Sequence, residues 1–335
     1  MTVVPVELLH EIFSHVLVFE PVSVVHTHGA SSKPQWELVR SLSLASKAFR
    51  NLTLEAWFRV FVTRTPSDLT FVEERLPGIY SWAREFHCIS AFSSVSGPAW
   101  DLQNFLRLHT IRLDCPSFDF NKIPLQNVPP TVFSLDLRGM IWPAPYAFEA
   151  IANLFPELRT MRMSQKKIWC GLCHTCSQVK FAGSVPQSLI YNDGLGLPIH
   201  YAWILSSLKH LQSVTIAVPF STGVNVSLNL SDPLRDLWAG ECDRCVGILY
   251  GDEEFRERWI ARKKGTLADD SFGRGYRKPP ALEIVEWAFW ASPGNLEVEE
   301  DDEELLDFEG DDDSEADEIA ELVSESAGIP DGSSV

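Results

Sequence analysis

The last 39 residues of this 335-residue chain contain no lysine or arginine, yet they hold 18 of its 46 acidic residues. Residues 1–296 carry all 28 basic residues against 28 acidic ones, so the net charge of −18 belongs to the tail and the body is neutral. A neutral body argues against strong binding to nucleic-acid phosphates. No run approaches the ~18 apolar residues that span a bilayer. The first apolar stretch is interrupted by Glu7, Glu11 and Glu20, and it lacks the positive start of a secretory leader. The expectation is a soluble chain, cytoplasmic or nuclear, with no membrane partner. Also missing are a P-loop, a G-x-G-x-x-G behind a strand, an H-E-x-x-H and a G-x-S-x-G, so no motif points to an enzyme acting on its own. The seven cysteines are odd in number and five fall in C-x-x-C phrases, which suits thiols or metal in a reducing compartment better than a disulfide framework.

What is present begins with helical spacing. Val6, Leu9, Ile12, Phe13 and Val16 form an apolar stripe, Pro5 suits a first helical position, and Glu7 complements the helix dipole. Residues 20–35 are rich in Pro, Gly, Ser and His and read as a loop. Helical spacing resumes at Leu38, Leu42, Ala45 and Phe49, and again at Leu54, Trp57, Phe58, Phe61 and Val62, predicting a three-helix bundle.

From residue 80 on, the chain turns to L-x-x-L-x-L phrases: HTIRLDC, VFSLDLRG, LRTMRMS, LQSVTIAV and LEIVEWAFW. Their anchors, Leu113, Leu137, Met163, Ile216 and Trp287, stand 24, 26, 53 and 71 residues apart. The interval of 53 is about two periods, with SLIYNDG (188–194) where the missing strand should be, and EFHCISAF supplies a further copy near Ile89. Helix-like pieces such as AFEAIANLFPE and HYAWILSSLKH lie between the phrases. A strand plus a helix every ~20 to 29 residues is the signature of a leucine-rich-repeat solenoid, whose units bury their apolar faces by stacking. Half-buried strands of another α/β domain would give the same alternation. The copies lack the usual Asn after the strand, and the interval of 71 implies an insertion at about residues 221–280.

V-P-x-E-L-L-x-x-I-F (Val4 to Phe13), L-x-L-A-S-K-A-F-R-x-L (Leu42 to Leu52) and A-W-F-R-V-F (Ala56 to Phe61) together resemble the F-box. An F-box followed by degenerate leucine-rich repeats resembles a class of proteins abundant in basidiomycete fungi. The resemblance implies an α/β architecture: a three-helix F-box-like module over residues 1–65, an irregular solenoid over 66–296, and a disordered acidic tail over 297–335. It also implies a Skp-type adaptor of a cullin-RING ubiquitin ligase as partner, with an unknown protein substrate held by the repeats. The adaptor contacts would come from Val4, Pro5, Leu8, Leu9 and Ile12 and from the Leu42 to Phe49 helix. An amphipathic three-helix segment could also cap the end of a repeat array, and the two roles are compatible.

Two cysteine phrases carry the remaining chemistry. IWCGLCHTCSQ (168–178) and AGECDRCVG (239–247) supply C-x-x-C turns, whose paired sulfurs suit tetrahedral zinc. Cys170, Cys173, Cys242 and Cys245 are the expected ligands of a structural zinc, with Cys176 and His174 as spares. The 68 residues between Cys173 and Cys242 exceed a compact ribbon, but a repeat fold brings distant turns together. Cys88 and Cys115 read as core thiols, and the H-x-H of His26 and His28 as a solvated loop. DEEFRERWIARKKG (252–265) predicts a helix with acids first and bases last, and with RGYRK (274–278) it forms a basic patch on a solvated face.

Overall fold

The structure is a computed structural model that describes residues 5–17, 29, 31, 33–89, 99–115, 123–140, 145–165, 170, 188–220, 238–241, 247, 251–263 and 277–291. The acidic tail, His26, His28 and most of the RGYRK phrase lie outside the described residues. The fold is mixed α/β. Three helices come first: α1 (Val6–Val16), α2 (Glu37–Ala45) and α3 (Lys47–Trp57). Next are β1 (Val60–Thr63), α4 (Pro66–Arg75), α5 (Ile79–Trp82), β2 (Glu85–Cys88), β3 (Trp100–Asp101), β4 (Thr110–Asp114), β5 (Leu125–Gln126) and β6 (Ser134–Met140). The rest are α6 (Pro145–Leu154), β7 (Thr160–Gln165), β8 (Ser188–Asn192), α7 (Ile199–Leu205), β9 (Ser213–Phe220), α8 (Glu253–Lys263) and β10 (Ile284–Ala291).

Eight strands make one sheet in the order β1-β2-β4-β6-β7-β9-β10-β8, parallel throughout except for the edge strand β8. β3 and β5 form a small parallel pair. The L-x-x-L-x-L phrases perform three tasks. Its first residue (Leu108, Val132, Leu158, Leu211 or Leu282) is buried beneath the turn that enters the strand. The next carbonyl is shared in the first four: His109, Phe133, Arg159 and Gln212, like Arg84 one copy earlier, each accept two successive N–H groups at the entry to the next core strand, at 2.8–3.2 Å, whereas Glu283 of the last phrase accepts the Gly194 N–H at 3.2 Å. The fourth and sixth residues then point into the core.

Those inward positions stack into two ladders. One runs Phe61, Phe86, Ile111, Leu135, Met161, Val214, Val285; the other runs Thr63, Cys88, Leu113, Leu137, Met163, Ile216, Trp287. The five anchors read from sequence therefore pair directly, strand to strand. Every residue of both ladders is buried, and each large side chain so placed contributes roughly 1.5–3 kcal/mol relative to exposure. Cys88 and Cys115 are core thiols, as expected.

Four expectations are corrected. Val60–Thr63 is the first strand of the sheet, not the end of a helix, because an alternating β-branched run fits a pleated surface better. The preceding copy is anchored by Cys88, not Ile89, since Cys88 is the partner of Leu113. Leu42 to Phe49 is not one helix: Ser46 turns extended (φ −163°, ψ 166°) and caps α3 by accepting the Phe49 N–H at 3.1 Å. Finally, SLIYNDG is a strand but does not fill the long interval. β7 pairs directly with β9, and β8 runs antiparallel on the far side of β10. Asp193, Gly194 and Gly196 take positive φ and fold the chain back there, while Ile190 on β8 is 64% exposed, as an edge strand allows.

Candidate docking site

α1 is apolar on two sides. Phe13 and Leu17 are buried, with the Phe13 ring edge-on to Phe49 of α3 at 6.2 Å between centroids. Val6, Leu8, Ile12 and Val16 face outward at 43–52% exposure. The stripe read from sequence therefore divides: Phe13 anchors the helix, Ile12 and Val16 lie with Leu8 on an unburied apolar face, and Val6 is exposed in the first turn. α2 behaves alike, burying Val39 but exposing Leu38 (58%) and Leu44 (70%). Among the described residues, half of the twelve exposed large hydrophobic side chains belong to these two short helices. A concentration of this kind marks an interaction surface more than scattered surface leucines do.

α3 supports both helices. Ser46 caps it, buried Thr53 donates to the Phe49 carbonyl at 2.7 Å, and Trp36 and Trp57 meet edge to face at 5.1 Å. Lys33, the last basic residue before α2, places its ammonium over the rings of Trp57 (4.5 Å) and Phe58 (4.8 Å). Of the sequence-predicted adaptor contacts, Pro5 precedes α1 and is exposed, Leu8 and Ile12 are exposed, and Leu9, Leu42 and Phe49 are half-buried. Val4 lies outside the described residues. A cavity of about 510 Å³ opens where this module meets the sheet, lined by His10, His15, Glu55, Arg59, Arg84 and Glu85 among others.

The face of the sheet opposite the core carries a charged row that the sequence reading passed over. His87, Arg112, Asp136, Arg162, Thr215 and Glu286 sit side by side in register across six strands. Above them, Asp114 pairs across to Arg138. Arg112 holds Asp114 through two bonds, Nε to Oδ1 at 2.7 Å and Nη2 to Oδ2 at 2.8 Å, and Arg138 Nε donates to Asp136 Oδ2 at 2.7 Å. All four side chains are buried. Burial pushes the Asp136 carboxyl up against the opposing pull of Arg138, and its Oδ1 has no hydrogen-bond partner among the described residues. Gly29, in the loop that joins α1 to α2, donates its N–H to Asp114 Oδ2 at 2.5 Å, so that loop reaches the charged face. The available signal was a charged residue between the two inward positions of successive phrases, as in TIRLD, SLDLR and TMRMS.

Of the expected metal ligands only Cys170 is described, and it is fully buried. Cys173, His174, Cys176, Cys242 and Cys245 lie outside the described residues, and no cluster of three or more metal-binding side chains occurs among those described. The helix predicted over 252–265 is α8, with one correction to the basic patch: Lys263 is buried and ion-paired to Glu241. No helix among the described residues is long and apolar enough to cross a membrane. No family model, no curated protein and no solved structure matches the chain.

Proposed function

We propose that this chain is a substrate-recognition subunit of an SCF-type cullin-RING ubiquitin ligase. In this reading α1 to α3 are an F-box module that docks a Skp-type adaptor, and the strand-rich remainder is a degenerate leucine-rich-repeat solenoid that holds a protein substrate. The ligase assembly performs the chemistry, and this chain contributes position. The observation that carries the proposal is the outward apolar face of α1. A helix needs one apolar side to pack on its own protein; a second, left half-exposed at Leu8 and Ile12, suits a partner helix laid against it.

The test is co-purification with a Skp-type adaptor, comparing the intact chain with a Leu8→Asp, Ile12→Asp double change. Both side chains are about half exposed, so the fold tolerates the change while a buried interface does not. Losing their remaining burial and placing charge there should cost about 3 kcal/mol or more, roughly a hundredfold in affinity. Failure of the intact chain to bind any Skp-type adaptor would overturn the proposal and leave the helices as a cap on a scaffold.

A further inference from the structure

A row of accessible side chains lies along the rim where the core strands begin. Arg59, Arg84, His109, Phe133 and Arg159 each directly precede a strand, β1, β2, β4, β6 and β7 in turn. Backbone bonds lock them side by side: from Arg84 to Arg159 each donates its N–H to the carbonyl of the one before, at 2.8, 2.9, 3.1 and 2.8 Å. Neighbouring strands are about 4.8 Å apart, so the row from Arg59 to Arg159 is about 19 Å long. The His109 ring stacks on the Phe133 ring (5.6 Å between centroids, 21° between planes), and the Arg159 guanidinium lies 6.0 Å from the centre of Phe133. Phe133 is 40% exposed and both end arginines are exposed, so this is outer surface.

The first end of the row gathers further positive charge. Arg84 and Arg107 both donate through Nη1 to the Ser81 carbonyl, at 2.7 and 3.5 Å, and Arg59 joins Arg84 in the wall of the cavity beside α3. None of Arg59, Arg84, Arg107 and Arg159 forms an ion pair with a described residue. The carboxylates close by face histidines instead: Glu85 is 3.3 Å from His87, Glu55 is 4.0 Å from His10, and Glu157 is 3.7 Å from His210. Burial holds the Arg84 guanidinium below its ordinary value, and Arg107 and Arg59 push the same way. Like charges gathered without a counter-ion disfavour one another. An anion supplied from outside relieves that repulsion.

We infer that this rim binds an extended acidic peptide of another protein, with a carboxylate at each arginine end and an apolar side chain on the Phe133–His109 stack. Arg84 to Arg159 is three strand steps, about 14 Å, and four residues of extended chain advance about 13 Å. Alternate residues of an extended chain share a face. The acids therefore fall at the first and fifth positions of the segment and the apolar residue at the third. The row is also finite. Gln212 and Glu283 continue it beyond Arg159 on the same backbone bonds, at 2.8 and 2.9 Å, so its positive charge fades and then reverses. A short acidic segment fits that gradient, whereas a long nucleic-acid strand would meet Glu283 and a body without net positive charge. The inference goes beyond the ligase reading and does not depend on adaptor docking, which is measured separately.

The experiment uses the full chain and a fluorescent peptide whose core carries glutamate at the first and fifth positions, phenylalanine at the third and serine between, with binding read by anisotropy at low salt. Saturable binding is expected. Arg59→Glu and Arg159→Glu should each weaken it by about tenfold or more, Phe133→Ser should weaken it several-fold, and Lys47→Glu, which reverses an exposed charge on α3, should leave it unchanged. Should a rim variant lose its circular dichroism signal, the intact chain decides the matter: glutamine in place of either glutamate, or the two glutamates moved next to each other, should weaken binding several-fold. Four results overturn the inference: no saturable binding, an equal loss in Lys47→Glu, equal binding of the rearranged peptide, or an oligouridylate that binds as tightly as the acidic peptide.

Discussion

Removing the Asp114 carboxylate should deprive a buried guanidinium of its two-bond partner. Arg112 and Asp114 are both 0% exposed and joined by two charge-assisted bonds of 2.7 and 2.8 Å. Breaking a buried pair from one side costs about 3–5 kcal/mol, because the remaining charge keeps its desolvation penalty. Here the lower end applies. Arg112 lies beside Asp136 in the ladder, whose Oδ1 has no hydrogen-bond partner among the described residues and can take up part of the orphaned charge. The Gly29 N–H also loses its acceptor, adding about 1 kcal/mol. Asp114→Ala is therefore expected to cost about 4 kcal/mol. The Arg112→Met, Asp114→Ala double variant removes both charges and should cost only about 1–2 kcal/mol, less than the single change. Urea unfolding read by tryptophan fluorescence measures both, since Trp100 and Trp287 are buried and will report core exposure. The reasoning fails if Asp114→Ala costs less than about 1 kcal/mol, or if the two single changes sum to the double within about 0.5 kcal/mol.

Two further outcomes follow. Ser46→Ala removes the side-chain cap of α3 and should destabilise the helical module by about 1 kcal/mol, seen as a lower melting temperature, while Ser46→Asp should retain the cap. Burial lowers the Lys33 pKa to about 7, so between pH 7 and about 10 the unfolded chain holds a proton that the folded chain has released and stability rises with pH; Lys33→Met should flatten that rise in denaturant midpoints measured across the window.

The sequence disclosed the sheet because its signal is local and repeated. In each phrase three apolar positions at fixed offsets bury the entry turn and two rungs of the core, so reading Leu113, Leu137 and Met163 as equivalent places them directly opposite one another. The misreadings occur where a local pattern serves a non-local purpose. SLIYN alternates like its neighbours, yet its direction is set by the positive-φ turn at residues 193–196 and by the indole N–H of Trp287, which bonds to the Gly196 carbonyl at 2.9 Å. Nothing within five residues of strand encodes which edge it joins. Lys263 shows the same limit in electrostatics: within RKKG it reads as solvated, and its burial depends on Glu241, twenty-two residues away.

The outward apolar face of α1 was legible in residue type and hidden in orientation. Periodicity assigned Phe13 and Ile12 to one stripe, but only packing against Phe49 separates the residue that holds α1 in place from the one that is left outside. That division has an energetic consequence. An isolated helix of eleven residues is shorter than the ~12–15 that are marginally stable in water, so α1 depends on the few side chains, chiefly Phe13 and Leu17, that it buries. Local opening of α1 should therefore require much less free energy than opening of the sheet. A partner that covers Leu8 and Ile12 binds only the closed helix and must stabilise it in proportion to its saturation, by about 2.7 kcal/mol at a hundred times its dissociation constant. On addition of a Skp-type adaptor, amide exchange in Leu9–Val16 should slow by up to roughly a hundredfold, while exchange in β4, β6 and β7 stays unchanged. Equal slowing throughout would mean that the adaptor stabilises the whole chain and that α1 is not its separate docking element.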